Sequence, residues 1–334
     1  MRKILSLVLC VSLVLSFSGC CEKTEDNLTE VTVVLDWTPN TNHTGLYVAQ
    51  ALGYYEDMGL KVNIIQPPED GANVLVASGK AEFGISFQDS MAPALCEGLD
   101  IVAIAAITQH NLSGIISKKE KGIDSFKALE GKTYATWGNP IEQAIIGYCM
   151  EKEGGDIENL EMIDSTVTDV LTALDTDMVD AVWVYEYWDV VKAQMEGYEY
   201  NYLDFKAVDE TMDYYTPVII SSEGYLKENM DVARSFIAAT QLGYEKASES
   251  AIDAIDSLCG ADPSLDGDLV TESALFMMDK YVDEEGRWGY IDQERWNKFY
   301  SWLYENGLIE KDLTNKGFTM ECLVYEDAGG LEYN

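Results

Sequence analysis

The chain has 334 residues, of which 22 are Lys or Arg and 59 are Asp or Glu, and its net charge is −37. A balance this acidic excludes a nucleic-acid partner, because phosphate binding needs a surplus of basic side chains. The length exceeds what one hydrophobic core usually serves, so we expect two domains.

The N-terminus has the pattern of an export signal. Basic residues at positions 2 and 3 precede an apolar run, 4–17, which is shorter than the roughly 20 residues of a membrane-spanning helix. Small residues stand directly before Cys20, as at a bacterial lipoprotein cleavage site. We therefore expect residues 1–19 to be removed, Cys20 to carry a lipid and 20–30 to act as a tether, leaving 20 basic and 59 acidic side chains. An ordinary secretory signal is the alternative.

Alternating strands and helices are predicted for the first part of the chain. Apolar runs and helical spacing predict strands at 31–36, 60–66, 81–86 and 101–108, and helices at 46–58, 71–79 and 89–97. This order favours a parallel, doubly wound sheet.

A second unit begins near residue 128. The run 128–154 reads as strand, loop and helix, with Pro140 at the helix start. Further on, 167–189 predicts a helix and a strand with three aromatic residues, and 217–226 predicts another strand. Residues 231–306 are mainly helical, and we expect them to pack on the first unit.

The four cysteines beyond the N-terminal region are far apart in the sequence. Cys96, Cys149, Cys259 and Cys322 form no CxxC pair, so a cysteine zinc site is not expected. Cys96 and Cys149 lie in apolar runs typical of buried thiols, and pairing in an exported chain stays open.

Three segments together carry a family resemblance: "LDWTPNTNHTGLYVAQALGYYEDMGLKVNI", "SGKAEFGISFQDSM" and "ALEGKTYATWGNPIE". They resemble the solute-binding lipoproteins of ABC importers in the SsuA/THI5-like (NMT1-like) superfamily. The narrower "DWTPNxxH" element is similar to the formylaminopyrimidine-binding branch, whose relatives include thiamine pyrimidine synthases.

The resemblance implies an α/β, two-lobed periplasmic-binding-protein fold of type II, with two doubly wound lobes joined by two crossing strands. The predicted division is 31–116 plus 221–315 for lobe 1, 117–220 for lobe 2 and 316–334 for a C-terminal tail. The implied function is capture of an aminopyrimidine thiamin precursor in the cleft and its delivery to an ABC permease with a cytoplasmic ATPase. We expect an extracytoplasmic, lipid-anchored monomer.

The first candidate ligand residues follow the first strand, because ligands bind at the carboxyl ends of parallel strands. Trp37 offers a flat face to a planar heterocycle, and Asp36, Asn40 and His43 offer hydrogen bonds. The alternative is that Asp36 and Asn40 cap turns and Trp37 is core.

Gln88, His110 and Ser113 follow two further strands and are candidates for the same cleft. His43 and His110 are the chain's two histidines, but zinc needs more ligands than two. The neighbouring amides and hydroxyls favour a polar organic ligand, so we expect no metal and no cofactor.

Lobe 2 is expected to contribute a helix start, where backbone amides hold a carbonyl or anionic oxygen, and an aromatic strand end. A tyrosine would stack on the ligand opposite Trp37, and a carboxylate would accept from an exocyclic amine. The alternative is an aromatic core strand. The candidates are Trp137, Asn139, Glu142, Tyr185, Glu186 and Tyr187.

Other ligands and an enzyme are the competing interpretations. Riboflavin, another planar heterocycle, a sulfonate or nitrate would keep the fold, although the candidate segments contain no Arg or Lys to pair with a fixed anion. A thiamine pyrimidine synthase would resemble the fungal enzymes in a CCCFC motif and a cofactor-binding Lys in the "DWTPNTNHTG" loop. The chain has neither.

Overall fold

Two five-stranded sheets form the framework of residues 28–323, which are the residues that the computed structural model describes. In spatial order, the first sheet contains β2 (Leu60–Ile65), β1 (Thr29–Val34), β3 (Phe83–Ser86), β10 (Val218–Ser221) and β4 (Val102–Ala106). The second contains β7 (Glu161–Asp164), β6 (Thr133–Thr136), β8 (Ala181–Tyr185), β5 (Ser113–Lys118) and β9 (Tyr200–Asp204). The predicted signal, Cys20 and residues 324–334 lie outside the described residues.

Each sheet is mixed rather than purely parallel. In the first sheet β10 runs antiparallel to both of its neighbours, β3 and β4, while β1 pairs in parallel with β2 and β3. In the second sheet β5 runs antiparallel to β8 and β9. The prediction of two α/β lobes is confirmed, and in each sheet the reversed strand adjoins a segment that passes between the sheets.

Helices flank both sheets. The α-helices of residues 28–323 are α1 (Thr44–Ala51), α2 (Tyr54–Asp57), α3 (Gly71–Ala77), α4 (Gln88–Glu97), α5 (Pro140–Lys152), α6 (Val170–Asp175), α7 (Val191–Met195), α8 (Glu223–Glu249), α9 (Ala251–Ala261), α10 (Gly267–Met277) and α11 (Gln293–Glu305). The predicted helix 46–58 is divided at Gly53, whose φ of 77° is left-handed. Within 28–323, no helix has the length and apolarity needed to span a bilayer.

Two segments, 107–112 and 205–217, connect the sheets. They are tied to each other, since the Ile107 N–H donates to the Pro217 carbonyl at 3.1 Å and Asn111 Nδ2 donates to the Met212 carbonyl at 2.9 Å. The predicted boundaries are 116 and 220, whereas the chain passes from β4 of the first sheet to β5 of the second at 107–112 and returns from β9 to β10 at 205–217. The apolar runs of β4 and β5 look alike in sequence, and only their hydrogen-bond partners assign them to different sheets.

Part of the predicted C-terminal tail packs on the first sheet. The Ala103 N–H donates to the Gly317 carbonyl and the Thr319 N–H donates to the Ala103 carbonyl, both at 2.8 Å. Cys322 and Leu323 are buried in the same core as β4. Residues 316–323 therefore belong to the first sheet's side of the molecule.

The helical C-terminal part contacts both halves of the chain. Helix α8 packs on α1, as predicted, whereas the ring of Phe299 in α11 stacks on Tyr214 of the second connecting segment at 4.1 Å. Trp302 of α11 meets Tyr148 of α5 edge-on at 5.2 Å. The lobes are thus in contact along α11, and the four cysteines of residues 28–323 are free thiols.

Candidate functional site

Loops after β1, β3 and β8 meet between the two sheets. Phe87, directly after β3, stacks on Tyr185 at the end of β8 with ring centroids 6.1 Å apart and planes 23° apart. Tyr185 in turn lies 5.5 Å from the ring of Tyr187. These three residues, with Asp36 and Asp89, are called the strand-end cluster below.

Asp36 is held from behind by His43. His43 Nε2 lies 2.5 Å from Asp36 Oδ1, and His43 Nδ1 accepts the backbone N–H of Asn40 at 3.2 Å. Because Nδ1 accepts, the neutral ring carries its proton on Nε2 and donates it to the carboxylate. His43 is fully buried, so it orients Asp36, whose Oδ2 has no hydrogen-bond partner within residues 28–323.

Asn40 shapes the same loop rather than facing outward. Its Oδ1 accepts the backbone N–H of Asn42 at 2.9 Å, and its Nδ2 donates to the Thr38 carbonyl at 3.2 Å. These contacts correspond to the alternative in which Asn40 caps a turn. Asn42, which the sequence analysis did not select, is fully buried, and neither atom of its side-chain amide has a partner among the described residues. Buried amides normally bind something, so Asn42 is an additional candidate.

Burial and nearby negative charges act on the tyrosines of the cluster. Burial, followed by the negative charges of Asp89 and Asp36, raises the pKa of Tyr185, and its Oη lies 3.3 Å from Thr216 Oγ1. Burial, followed by nearby Tyr185 and Asp36, also raises the pKa of Tyr187. Strand β8 ends at Tyr185, and Glu186–Val190 form a π-helical turn. Tyr187 is therefore placed by that turn and is buried.

Asp89 is the cluster residue that sequence reasoning missed. The N-cap of α4 is Phe87, and Asp89 lies inside the first turn of that helix. Burial raises the pKa of Asp89 to about 6, the negative charge of Glu142 acts in the same direction, and backbone hydrogen bonds oppose it. Its position one residue after Gln88, at a predicted strand end, was the available signal.

Gln88 itself is committed to the framework. Its Nε2 donates to the Trp296 carbonyl and its Oε1 accepts the Tyr215 N–H, both at 2.9 Å, and its side chain is fully buried. Both partners belong to elements packed behind α4. Gln88 therefore fixes the β3 to α4 turn and leaves the cleft to its neighbours Phe87 and Asp89.

The helix start of the second lobe is organised around a buried carboxylate. Glu142 accepts hydrogen bonds from Tyr134 Oη at 2.6 Å, Thr136 Oγ1 at 3.0 Å and the Trp137 N–H at 3.1 and 3.3 Å. Burial raises the pKa of Glu142, and these hydrogen bonds oppose the rise. Asn139 caps α5 by accepting the N–H two residues on. Glu142 and Asn139 therefore fix the conformation of the loop between β6 and α5.

Two tryptophans lie in comparable positions in the two lobes, each after the carboxyl end of a strand. Trp37 follows β1 and is 54% exposed, and Trp137 follows β6 and is 51% exposed. Trp137 leans on Trp183 at 5.7 Å, and the indole N–H of Trp183 is buried without a partner among residues 28–323. The exposed rings are free to pack against a bound ligand.

The remaining candidates are not in the strand-end cluster. His110 Nδ1 lies 2.7 Å from Asp213 Oδ2 in the connecting segments, and Ser113 is buried and donates to Asn111 at 2.6 Å. Burial raises the pKa of Glu186, but the charged neighbours of Glu186 are Lys206, Asp204 and Lys280. The two histidines thus have separate partners, and residues 28–323 contain no group of three or more potential metal ligands.

Two open surface cavities lie away from the cluster. One, of about 520 Å³, is lined by residues between 206 and 213, and the other, of about 640 Å³, by residues between 292 and 301. Neither has an aromatic lining residue or includes a strand end.

Comparison with known proteins agrees with this architecture. The model of the family described as NMT1/THI5 like matches residues 40–251. The formylaminopyrimidine-binding protein of Halalkalibacterium halodurans is 30% identical over 92% of this chain and 95% of its own length. A 4-amino-5-hydroxymethyl-2-methylpyrimidine phosphate synthase of Legionella pneumophila is 25% identical over 70% and 74%.

Among solved structures, the alkanesulfonate-binding protein SsuA of Xanthomonas axonopodis pv. citri superposes with a TM-score of 0.68. It is 12% identical and covers 87% of this chain and 98% of its own. At that identity the likeness shows the fold alone. The two sheets and two connecting segments therefore have the periplasmic-binding-protein fold.

Proposed function

The chain belongs to the NMT1/THI5-like family, and we propose on that premise that it binds an aminopyrimidine precursor of thiamin between its two lobes. The observation that carries the proposal is the strand-end cluster, in which the ring of Tyr185 stacks on Phe87 and the negative charges of Asp89 and Asp36 raise the pKa of Tyr185. Planar rings stack on aromatic side chains, and amino groups donate to carboxylates.

The roles of the cluster residues follow from their contacts. Tyr185 and Phe87 provide the stacking faces, and Asp36, oriented by His43, accepts a hydrogen bond from an exocyclic amine through Oδ2. Asp89 accepts a second one. Trp37 and Trp137 cover the ligand from the mouth of the cleft. A ligand that lacks the amino groups leaves the partly buried carboxylates of Asp36 and Asp89 without partners, which is an effective basis of discrimination.

Sulfonate and nitrate fit this site poorly. The loops that carry the cluster contain acidic residues and no Arg or Lys, so a fixed anion would meet like charge. Riboflavin has a planar ring but is much larger than a pyrimidine. The acidic groups therefore favour an amine-bearing heterocycle.

The protein is a binder rather than a synthase in this proposal. The relative with 30% identity is named as a binding protein, whereas the synthase relative covers less of the chain. The N-terminal pattern adds an extracytoplasmic location with a lipid on Cys20, and the bound precursor passes to an ABC permease with its ATPase. The protein acts as a monomer and needs no cofactor.

Native mass spectrometry of the gently purified full chain in detergent tests the assignment. The panel is formylaminopyrimidine, hydroxymethylpyrimidine, thiamin, riboflavin and taurine. We expect formylaminopyrimidine to be retained most strongly and to be recovered with unchanged mass. Preferential retention of riboflavin or taurine would overturn the aminopyrimidine assignment, and recovery of a converted product would overturn the assignment as a binder.

A further inference from the structure

A hydrogen-bond relay joins the two lobes beside the strand-end cluster. Thr41 Oγ1 lies 2.6 Å from Ser273 Oγ, and Ser273 Oγ donates to the backbone carbonyl of Tyr187. Thr41 and Ser273 are fully buried and Tyr187 is 3% exposed. Thr41 follows β1, Ser273 lies in α10 and Tyr187 lies in the π-helical turn after β8, so the relay passes from one lobe to the other.

The direction of the relay follows from the number of protons. A serine hydroxyl has one proton, and that of Ser273 is used on the Tyr187 carbonyl, so Thr41 must be the donor to Ser273. Thr41 is fixed on its own side, because its carbonyl accepts hydrogen bonds from Tyr281 Oη at 2.7 Å and Thr44 Oγ1 at 2.8 Å. Ser273 is therefore held in place as a donor to the other lobe.

The relay ends on residues that position the site. Thr41 belongs to the turn Thr41–His43, which holds the carboxylate of Asp36. At the other end of the relay, the ring of Tyr187 lies beside the ring of Tyr185, with centroids 5.5 Å apart. In this structure the Tyr187 carbonyl accepts a buried hydrogen bond from Ser273. Removing that donor therefore disfavours the closed arrangement, whereas in separated lobes water can replace it.

We propose that Ser273 is a positioning residue that holds the lobes closed and sets the two tyrosines against the ligand. It acts through the Tyr187 backbone and does not touch the ligand. The affinity part of this inference rests on the proposed function, whereas the closure part concerns the protein alone.

The test compares Ser273→Ala with Thr271→Ala in the full chain. Thr271 lies in the same helix, but its Oγ1 donates within α10 to the Gly267 carbonyl at 2.7 Å. We expect Ser273→Ala to raise the dissociation rate of formylaminopyrimidine about tenfold while the association rate stays within about twofold. We also expect faster amide hydrogen exchange at 186–195 in the ligand-free protein. Thr271→Ala should change neither.

Unchanged exchange at 186–195 and an unchanged dissociation rate in Ser273→Ala would overturn the inference. If wild-type protein does not bind formylaminopyrimidine, the exchange result alone decides: faster exchange supports the relay even though the ligand assignment has failed. Thr41→Val breaks only the first hydrogen bond, and it carries the test if Ser273→Ala does not fold. Thr41→Val should raise the dissociation rate and the exchange at 186–195 less than Ser273→Ala does. In the double variant both quantities should be only slightly higher than in Ser273→Ala, because the two residues act in one relay.

Discussion

Replacing Asp36 with Asn is expected to weaken formylaminopyrimidine binding on the order of 100-fold. A hydrogen bond to a charged group contributes about 1.5–3 kcal/mol, and each 1.4 kcal/mol changes an affinity about tenfold. Asn keeps the shape of the side chain and can still accept from His43 Nε2. The fold is therefore retained while the charge facing the ligand is removed. Isothermal titration calorimetry measures the change directly.

Asp175→Asn is the matched control for that experiment. Asp175 is exposed and lies 3.8 Å from the Lys118 ammonium at the surface of the second lobe, so its replacement removes the same charge far from the cluster. Its affinity should equal that of the wild type. Equal affinities for Asp36→Asn and Asp175→Asn would show that Asp36 does not contact the ligand.

Replacing Asp89 with Asn is expected to stabilise the protein above pH 6 while weakening binding about tenfold at pH 7.5. Burial raises the pKa of Asp89 from 3.8 to about 6, so the folded protein holds this proton more tightly than the unfolded chain does. The wild type consequently loses stability as pH rises from 3.8 through 6, and the unfavourable contribution is complete above that window. One pKa unit corresponds to about 1.4 kcal/mol, which gives a contribution on the order of 2–3 kcal/mol.

Asn cannot ionise, so the variant lacks this loss of stability. Thermal unfolding of both proteins at pH 4 and pH 7.5 should show a difference that grows toward pH 7.5 in favour of Asp89→Asn. Wild-type affinity should rise with pH through about 6, and that dependence should be weaker in the variant. A stability difference that does not change with pH would contradict the buried, ionisable position of Asp89.

The sequence predicted the strands beside the proposed site better than the directions of the side chains that follow them. Strand β8 ends at Tyr185 and β1 ends at Val34, two residues before the predicted end at Asp36, and apolar runs bounded by polar residues indicate such strands. Gln88 and Asp89 are adjacent, and only the rotation of α4 about its axis decides which of them turns away from the cleft. That rotation depends on contacts with residues about 200 positions away.

The side-chain direction of His43 and the position of Tyr187 also depend on the folded structure around them. His43 was expected to meet the ligand, but a loop conformation invisible in the sequence places its ring against Asp36. Tyr187 lies beyond the end of β8, because the chain enters a π-helical turn at Glu186. Strands β7 and β9 were not predicted, since both are short edge strands with polar residues and weak alternation.

A crystal structure of the protein with formylaminopyrimidine is the most direct test of ligand capture between the lobes. We expect density for the pyrimidine ring packed on Tyr185, with an amino nitrogen about 2.7–3.2 Å from the Asp36 carboxylate. Density in either open surface cavity, along 206–213 or 292–301, with none at the strand-end cluster, would contradict it.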